Sequence, residues 1–384
     1  MKSQRKSKSI NIDLDIFYTL ELIQNKIFSK FNKLMNEKEI ESVSLDGYYF
    51  MQEPMPYPFI FSVDMSDSDL KNIDKLELIC ENKNVGYINI ETFFKNKKEY
   101  ELNIFNTRLN KNKDKDKWCV SGSFEIYSNE VKNAKKHIEN IKHELNTQKI
   151  TAVMLTADPI NRAHERLIRM AIDKADLVII FLLQSHGENS INFELRQETI
   201  EYFIQNYLPK NRVVIMPFKT SIFTLHQNPV LECISACNLG VNKLVIGQNH
   251  HGIGMFYDQN QPKTVLDKYI KDLNMDVIVL PELVYCDKCK TIVSTKTCPH
   301  GQHHHIKYHP ETIKSLLFNG IMPPAILIRS DISAIILSNI FKNRFKDIQT
   351  LCDELFPNSG LLEKRTECDF YKELMRLYQT SSLT

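Results

Sequence analysis

The stretch Ile150-Thr151-Ala152-Val153-Met154-Leu155-Thr156-Ala157-Asp158-Pro159-Ile160-Asn161-Arg162-Ala163-His164-Glu165 decides how this chain is read. The apolar run Ile150 to Leu155 predicts a buried strand, and Arg162 to Ala175 has helical periodicity. Between them lies a short loop with Pro159. A loop that opens a helix offers unpaired N–H groups and a partial positive charge, so phosphate binds there. His164 falls in the first turn, facing such an anion.

Outward from this stretch the rhythm persists. Apolar runs recur at Leu177–Leu183, Arg212–Pro217, Lys243–Gly247 and Asp276–Leu280. Helical stretches separate them: Phe193–Tyr207, Val230–Leu239 and Lys263–Asp272. Buried strands alternating with amphipathic helices predict an α/β domain with a parallel sheet covered on both faces. Ligands of such sheets bind beyond the carboxyl ends of the strands. The loops Thr156–Asn161, Lys219–Gln227 and Gln248–Phe256 are therefore expected to converge on one crevice.

Before residue 148 the chain reads as mixed and β-rich. Asp13 to Asn36 has helical spacing through Leu14, Phe17, Leu20, Leu22, Ile23, Ile27 and Phe31. Strand-like pieces follow at Tyr48–Met51, Phe59–Val63, Leu76–Cys80, Val85–Ile90 and Ser123–Ile126, then a charged helix at Lys132–Thr147. The polar run Asn110–Lys117 reads as an exposed loop. From Tyr285 a Cys/His-rich segment begins, followed by helices at Glu311–Phe318 and Ser330–Ile340. The expected domains are 1–147, 148–284 and 285–384.

Composition excludes several classes. Lys+Arg number 49 and Asp+Glu 47 in 384 residues, and a net charge of +2 makes no electrostatic case for nucleic acid or an acidic membrane. No apolar run approaches the roughly 18–20 residues that span a bilayer. The basic, polar Met1–Ser9 lacks the apolar core of a secretory signal and reads as a disordered tail. Nine cysteines without such a signal point to a reducing cytoplasm, with the clustered ones binding metal.

Cys286-x-x-Cys289, then Cys298, then histidines at His300 and His303–His305, fit a Cys₃His site. Thiolates and imidazole at this spacing suit tetrahedral Zn²⁺, and four protein ligands make a structural site. His303 is the expected fourth ligand, because Cys298-Pro299-His300 is tight for both ends to ligate.

In order along the chain, these segments resemble ATP sulfurylase, the sulfate adenylyltransferase family. Leu20-Glu21-Leu22 through Met35 tracks the family's opening pattern. Asn206-Tyr207-Leu208-Pro209 precedes the third core strand, and Gly247-Gln248-Asn249-His250-His251-Gly252 is similar to its Gly-Arg-Asp-His-Ala-Gly. Val284-Tyr285-Cys286-x-x-Cys289 is the closest stretch, and Pro323-Pro324 with Arg329-Ser330-Asp331-Ile332 matches the closing motifs. The resemblance implies a PUA-like N-terminal domain, a Rossmann-like nucleotidyltransferase domain and a small zinc-containing C-terminal lobe. It implies Mg-ATP and sulfate as substrates, no nucleic-acid or membrane partner, and allows a homo-oligomer.

The family grips its substrates with Gln-x-Arg-Asn-Pro-x-His-x-x-His. Here Leu155 stands for the Gln, Ala157 for the Arg, Asp158 for the Asn and Asn161 for the first His, while His164 is kept. Gln227 and Gln248 replace two further arginines. Asn161, Arg162 and His164 are the expected catalytic residues; Thr156, Asp158, Gln248, His250, His251 and Gly252 are the expected nucleotide contacts. Asp158 is read as shaping the loop, and Arg196 and Arg329 as structural. A preorganised donor to an oxyanion is worth about 10²–10³ in rate. Losing the sulfate-facing arginines disables sulfate chemistry unless Arg162, Arg166, Arg196 or Lys219 substitutes. Three readings follow: sulfate adenylylation with an altered pocket, adenylylation of another oxyanion, or an inactive nucleotide-binding relative. No Gly-rich kinase loop follows residue 340.

Overall fold

The computed structural model describes residues 7–45, 49–96, 103–105, 117–185, 189–247, 256–258, 261–263, 266, 271–356 and 363–379. They fall into two compact units, each discontinuous in sequence. One comprises 1–155, 175–184 and 214–280; the other comprises 156–174, 185–213 and 281–384.

The first unit is built on a five-stranded sheet of β1 (Ile150–Leu155), β2 (Leu177–Leu183), β3 (Val213–Phe218), β4 (Lys243–Gly247) and β5 (Asp276–Leu280). The strand order is β3-β2-β1-β4-β5. β1 runs parallel to β2, with Ile150 opposite Leu177, and parallel to β4, with Thr151 opposite Lys243. β4 and β5 are also parallel. Every residue of β2 is buried, so both its faces are covered, which is why it reads as an unbroken apolar run. The winding reverses between β1 and β4, where open α/β sheets take ligands.

Small sheets of the same unit use the β-rich first part of the chain. One has Lys8–Asn11, Lys75–Cys80, Lys83–Asn89 and Phe124–Ile126; another has Phe61–Val63, Trp118–Ser121 and Thr92–Lys95. The N-terminal helix is shorter than its periodicity predicts, spanning Leu14–Gln24. Lys26 takes a left-handed φ of 58°, and its N–H and that of Ile27 close back onto Ile23 and Leu22. Paired closing bonds of this kind end a helix. Glu21 on this helix is buried and accepts from Ser128 Oγ (2.7 Å) and the Val131 N–H (3.0 Å), capping the helix Glu130–Leu145. The polar run Asn110–Lys117 lies outside the described residues except for Lys117.

The loop after β3 forms a short helix, Ile222–His226, with Gln227 closing it at φ 48°. Asp15 ties it down by accepting from the Ser221 N–H and hydroxyl and from Thr220 Oγ1. This loop leaves the edge strand, two positions from β1. Of the helix expected at Lys263–Asp272, Lys263 ends a short strand, Gln261–Lys263, Lys271 and Asp272 are helical, and 264–265 and 267–270 lie outside the described residues.

The second unit contains α1 (Arg162–Ile172), α2 (Phe193–Tyr207), α3 (Pro310–Phe318) and α4 (Ser330–Ile340). It also holds a three-stranded ribbon of Leu283–Cys286, Thr291–Ser294 and His305–Lys307, with the first strand in the middle. Among the described residues no helix is long and apolar enough to cross a membrane.

Candidate functional site

The loop 156–161 is held by buried polar contacts from distant helices of its own unit. Ala157 is fully buried and left-handed, at φ 45°. That region costs an L-residue about 1–2 kcal/mol, so surrounding contacts must enforce it. They do. Arg196 on α2, 1 % exposed, donates to the Thr156 carbonyl and, through Nε, to the Ile191 carbonyl at 3.0 Å. Asp158, 4 % exposed, accepts from Ser185 Oγ (2.8 Å), the Ile191 N–H (2.9 Å) and Lys314 Nζ (3.0 Å). Asp158 therefore spends both oxygens on protein donors, consistent with shaping the loop.

Asn161 and His164 meet, but through each other. The Asn161 side chain accepts from the His164 N–H at 3.1 Å, and His164 Nδ1 accepts from the Asn161 N–H at 3.2 Å. This reciprocal capping box opens α1 with His in the place usually held by Glu or Gln. An accepting Nδ1 puts the proton on Nε2, so His164 presents a neutral donor. The N–H of Arg162 is taken by the Leu327 carbonyl at 2.9 Å. The helix start thus has fewer spare donors than its sequence suggests.

Desolvation pushes His164 down from its ordinary 6.5 to about 4. Between those values the unfolded chain binds more protons than the folded one, so stability falls as pH drops from 6.5 towards 4 and levels off below. His164→Gln keeps an acceptor for the capping box and removes the titration. Urea unfolding at pH 7 and pH 4.5 is expected to show the wild type losing up to about 3 kcal/mol more than the variant. Equal losses would show that His164 is not the acid-sensitive group.

Of the four cations that could replace the missing arginines, Arg162, Arg196 and Lys219 are engaged by protein partners. The Arg162 guanidinium donates to the Ala325 carbonyl (2.9 Å) and to Glu165 (3.2 Å). Glu165 also pairs with Arg329 at 2.8 Å, whose guanidinium lies 3.7 Å from the centre of the Tyr207 ring. Arg166 is exposed and lines a groove of about 350 Å³ with Arg162, Arg169, Tyr285 and Ile292. Arg196 is buried as described, and Lys219 pairs with Glu130 at 3.0 Å. Leu155 is 7 % and Ala157 0 % exposed. Gln248, His250, His251 and Gly252 lie outside the described residues.

Cys286, Cys289, Cys298 and His300 place one donor atom each within 4.8 Å of the others. His300 Nδ1 lies 3.5, 3.3 and 3.6 Å from the sulfurs of Cys286, Cys289 and Cys298, and two of the sulfurs are 3.8 Å apart. Zinc bonds of about 2.3 Å to sulfur and 2.0 Å to nitrogen at tetrahedral angles imply separations of about 3.8 and 3.5 Å. The donor set therefore fits zinc. The fourth donor is His300, not the expected His303. Two residues of chain span up to about 7 Å, enough for the Cys298 and His300 side chains to converge across Pro299. His303 instead folds over Gly301 and packs against His304, ring centres 4.1 Å apart and planes tilted by 47°. Burial raises the Cys286 thiol, but N–H groups of Cys289 and Lys288 donate to its sulfur and bring it down to about 7.

Residues 129–339 match the family ATP-sulfurylase. A sulfate adenylyltransferase from Psychrobacter sp. (strain PRwf-1) is 24 % identical over 366 residues, covering 90 % of this chain and 85 % of the relative. One from Staphylothermus marinus is 24 % identical, covering 90 % and 94 %. Among solved structures, a hexameric APS kinase from Thiobacillus denitrificans superposes with TM-score 0.61 at 14 % identity. The match covers 86 % of this chain and 62 % of that one, and shows the fold. The matched span runs from the helix Glu130–Leu145 through the sheet, the pinned loop, the ribbon and α4. On that span, the chain belongs to the ATP-sulfurylase family.

Proposed function

We propose that this protein is an adenylyltransferase of the sulfurylase type, taking Mg-ATP and an oxyanion to an adenylyl anhydride and pyrophosphate. Family membership across the pinned loop carries the reading. Attack of an oxyanion on the α-phosphorus asks the protein mainly to position anions and offset charge. Asn161, His164 and the loop backbone serve the nucleotide, His164 as a neutral Nε2–H donor. Gln248, His250, His251 and Gly252 complete the nucleotide contacts. Sulfate is the acceptor by family inference. Buried Leu155 and Ala157 favour a second acceptor class, a larger or less charged oxyanion, because no cation stands at either position.

Further proposals accompany this reading. Residues 1–147 form a PUA-like domain, supported by their small sheets; 148–284 form the nucleotidyltransferase domain and 285–384 a lobe with structural zinc. The protein is cytoplasmic, binds no nucleic acid and no membrane, and associates with copies of itself.

The test is to incubate the purified protein with adenylyl sulfate and pyrophosphate and look for ATP. ATP formation supports sulfate as acceptor. No ATP, but ATP–pyrophosphate exchange driven by another oxyanion in a panel, supports the second class. Silence in both assays overturns the enzymatic reading and leaves a nucleotide-binding relative.

A further inference from the structure

The loop that follows β1 carries an acidic residue at its centre, an unfavourable charge for a segment that meets polyphosphate. Lys314 answers it. Asp158 and Lys314 are 4 % and 3 % exposed, and their charged atoms are 3.0 Å apart. Lys314 also reaches Glu311 at 2.8 Å, but that carboxylate is 80 % exposed and screened by water. Burial lowers the Lys314 ammonium, yet the two carboxylates outweigh it and hold it above its ordinary range, so it stays charged. Beside this pair sits the buried Arg196 guanidinium. The buried set thus holds two cations against one carboxylate. A buried carboxylate with one cation carries no net charge, and the second cation leaves the buried set net positive.

We infer that Asp158 and Lys314 are a positioning pair. Lys314 cancels the loop carboxylate so that the loop tolerates an anion, and it ties the conformation of residues 156–161 to α3. Asp158 spends its oxygens on protein donors and Lys314 its ammonium on Asp158 and Glu311, so both act through the loop. The inference rests on the reading of that loop as the nucleotide phosphate site, and it deepens that reading by stating how its charge is kept suitable.

The experiment uses the full chain with Lys314→Met, Lys314→Arg, Asp158→Asn, and the double variant Asp158→Asn/Lys314→Met. Dissociation constants for ATP and for adenosine are measured by calorimetry, and amide exchange is followed at residues 156–165. Lys314→Met is expected to weaken ATP at least about tenfold and adenosine by less than about twofold, because it removes the net positive charge of the buried set, which only the charged ligand feels. Lys314→Arg keeps the charge, and the double variant removes both charges, so each is expected to return ATP affinity to within about threefold of wild type. Exchange at 160–162 rises in Lys314→Met. Equal loss of ATP and adenosine, no recovery in the double variant, or unchanged exchange overturns the proposal. If the wild-type chain binds neither ligand, the phosphate reading of the loop falls. The exchange data then decide the pair: a rise keeps the tie to α3, and no change removes it.

Discussion

Stripping zinc from the Cys286, Cys289, Cys298 and His300 cluster is expected to unfold the ribbon Leu283–Lys307 and leave the parallel sheet intact. The ribbon has almost no core: from 283 to 307 only Val284 and Cys286 are buried. Three short strands of three or four residues each do not hold together on hydrogen bonds alone. Structural zinc contributes about 10–16 kcal/mol of apparent binding free energy in small metal-folded domains at neutral pH. That is far more than this ribbon supplies by burial. Cys289→Ser is expected to act as the chelator does, and His303→Ala is expected to leave zinc content at one equivalent per chain. His300→Ala is expected to lower it, since His300 is the imidazole among the thiols. Elemental analysis gives the content. Amide exchange separates ribbon from sheet: protection lost at 283–307 but kept at 177–183 is the expected pattern. A metal-free chain with a protected ribbon would sink the zinc assignment.

Much of the fold was legible because its signals are local. β2 was expected at Leu177–Leu183 and is found there; a strand buried on both faces reads as an apolar run. α2 was expected at Phe193–Tyr207 and is found there, opened by the Asn192 cap and followed by Pro209. The N-terminal helix was overestimated because apolar spacing continues past Gln24 while the backbone turns at Lys26. Strands Lys8–Asn11, Thr92–Lys95 and Trp118–Ser121 were missed, being only four residues each. The site was legible only in part. Asn161 and His164 are three apart, so their place at a helix start could be read. Their mutual capping could not, since Asn-x-x-His is not the usual capping pattern. The partners that pin the loop are non-local: Lys314 lies 156 residues from Asp158, and Arg196 lies 40 from Thr156. No periodicity encodes such pairings. His300 was passed over for a stereochemical reason that the ribbon's geometry removes.

Arg196, read from sequence as structural, is buried and holds two loop carbonyls in the structure. From sequence, Arg162, Arg166, Arg196 and Lys219 were the cations that could replace the lost arginines, with Arg162 expected to be catalytic and Arg196 structural. In the structure they separate by burial, and so by what their removal does. Arg196→Met is expected to destabilise the protein by about 3–5 kcal/mol, as loss of one member of a buried ionic set does. Two carbonyls, Thr156 and Ile191, lose their donor, and Asp158 loses a neighbouring cation. Methionine fills part of the space beside Phe193, whose ring centre is 5.1 Å from the guanidinium, so a cavity is a minor contribution. Arg196→Lys keeps the charge but not the fork that serves two carbonyls at once, and is expected to recover less than about half of the loss. Arg166→Ala, on the exposed face of α1, is expected to change stability by less than about 0.5 kcal/mol. Urea midpoints for the three variants test the ordering. A mild Arg196→Met, under about 1 kcal/mol, would mean the Thr156 carbonyl is not held from α2. The left-handed Ala157 would then lack the constraint that keeps the loop in shape for a nucleotide.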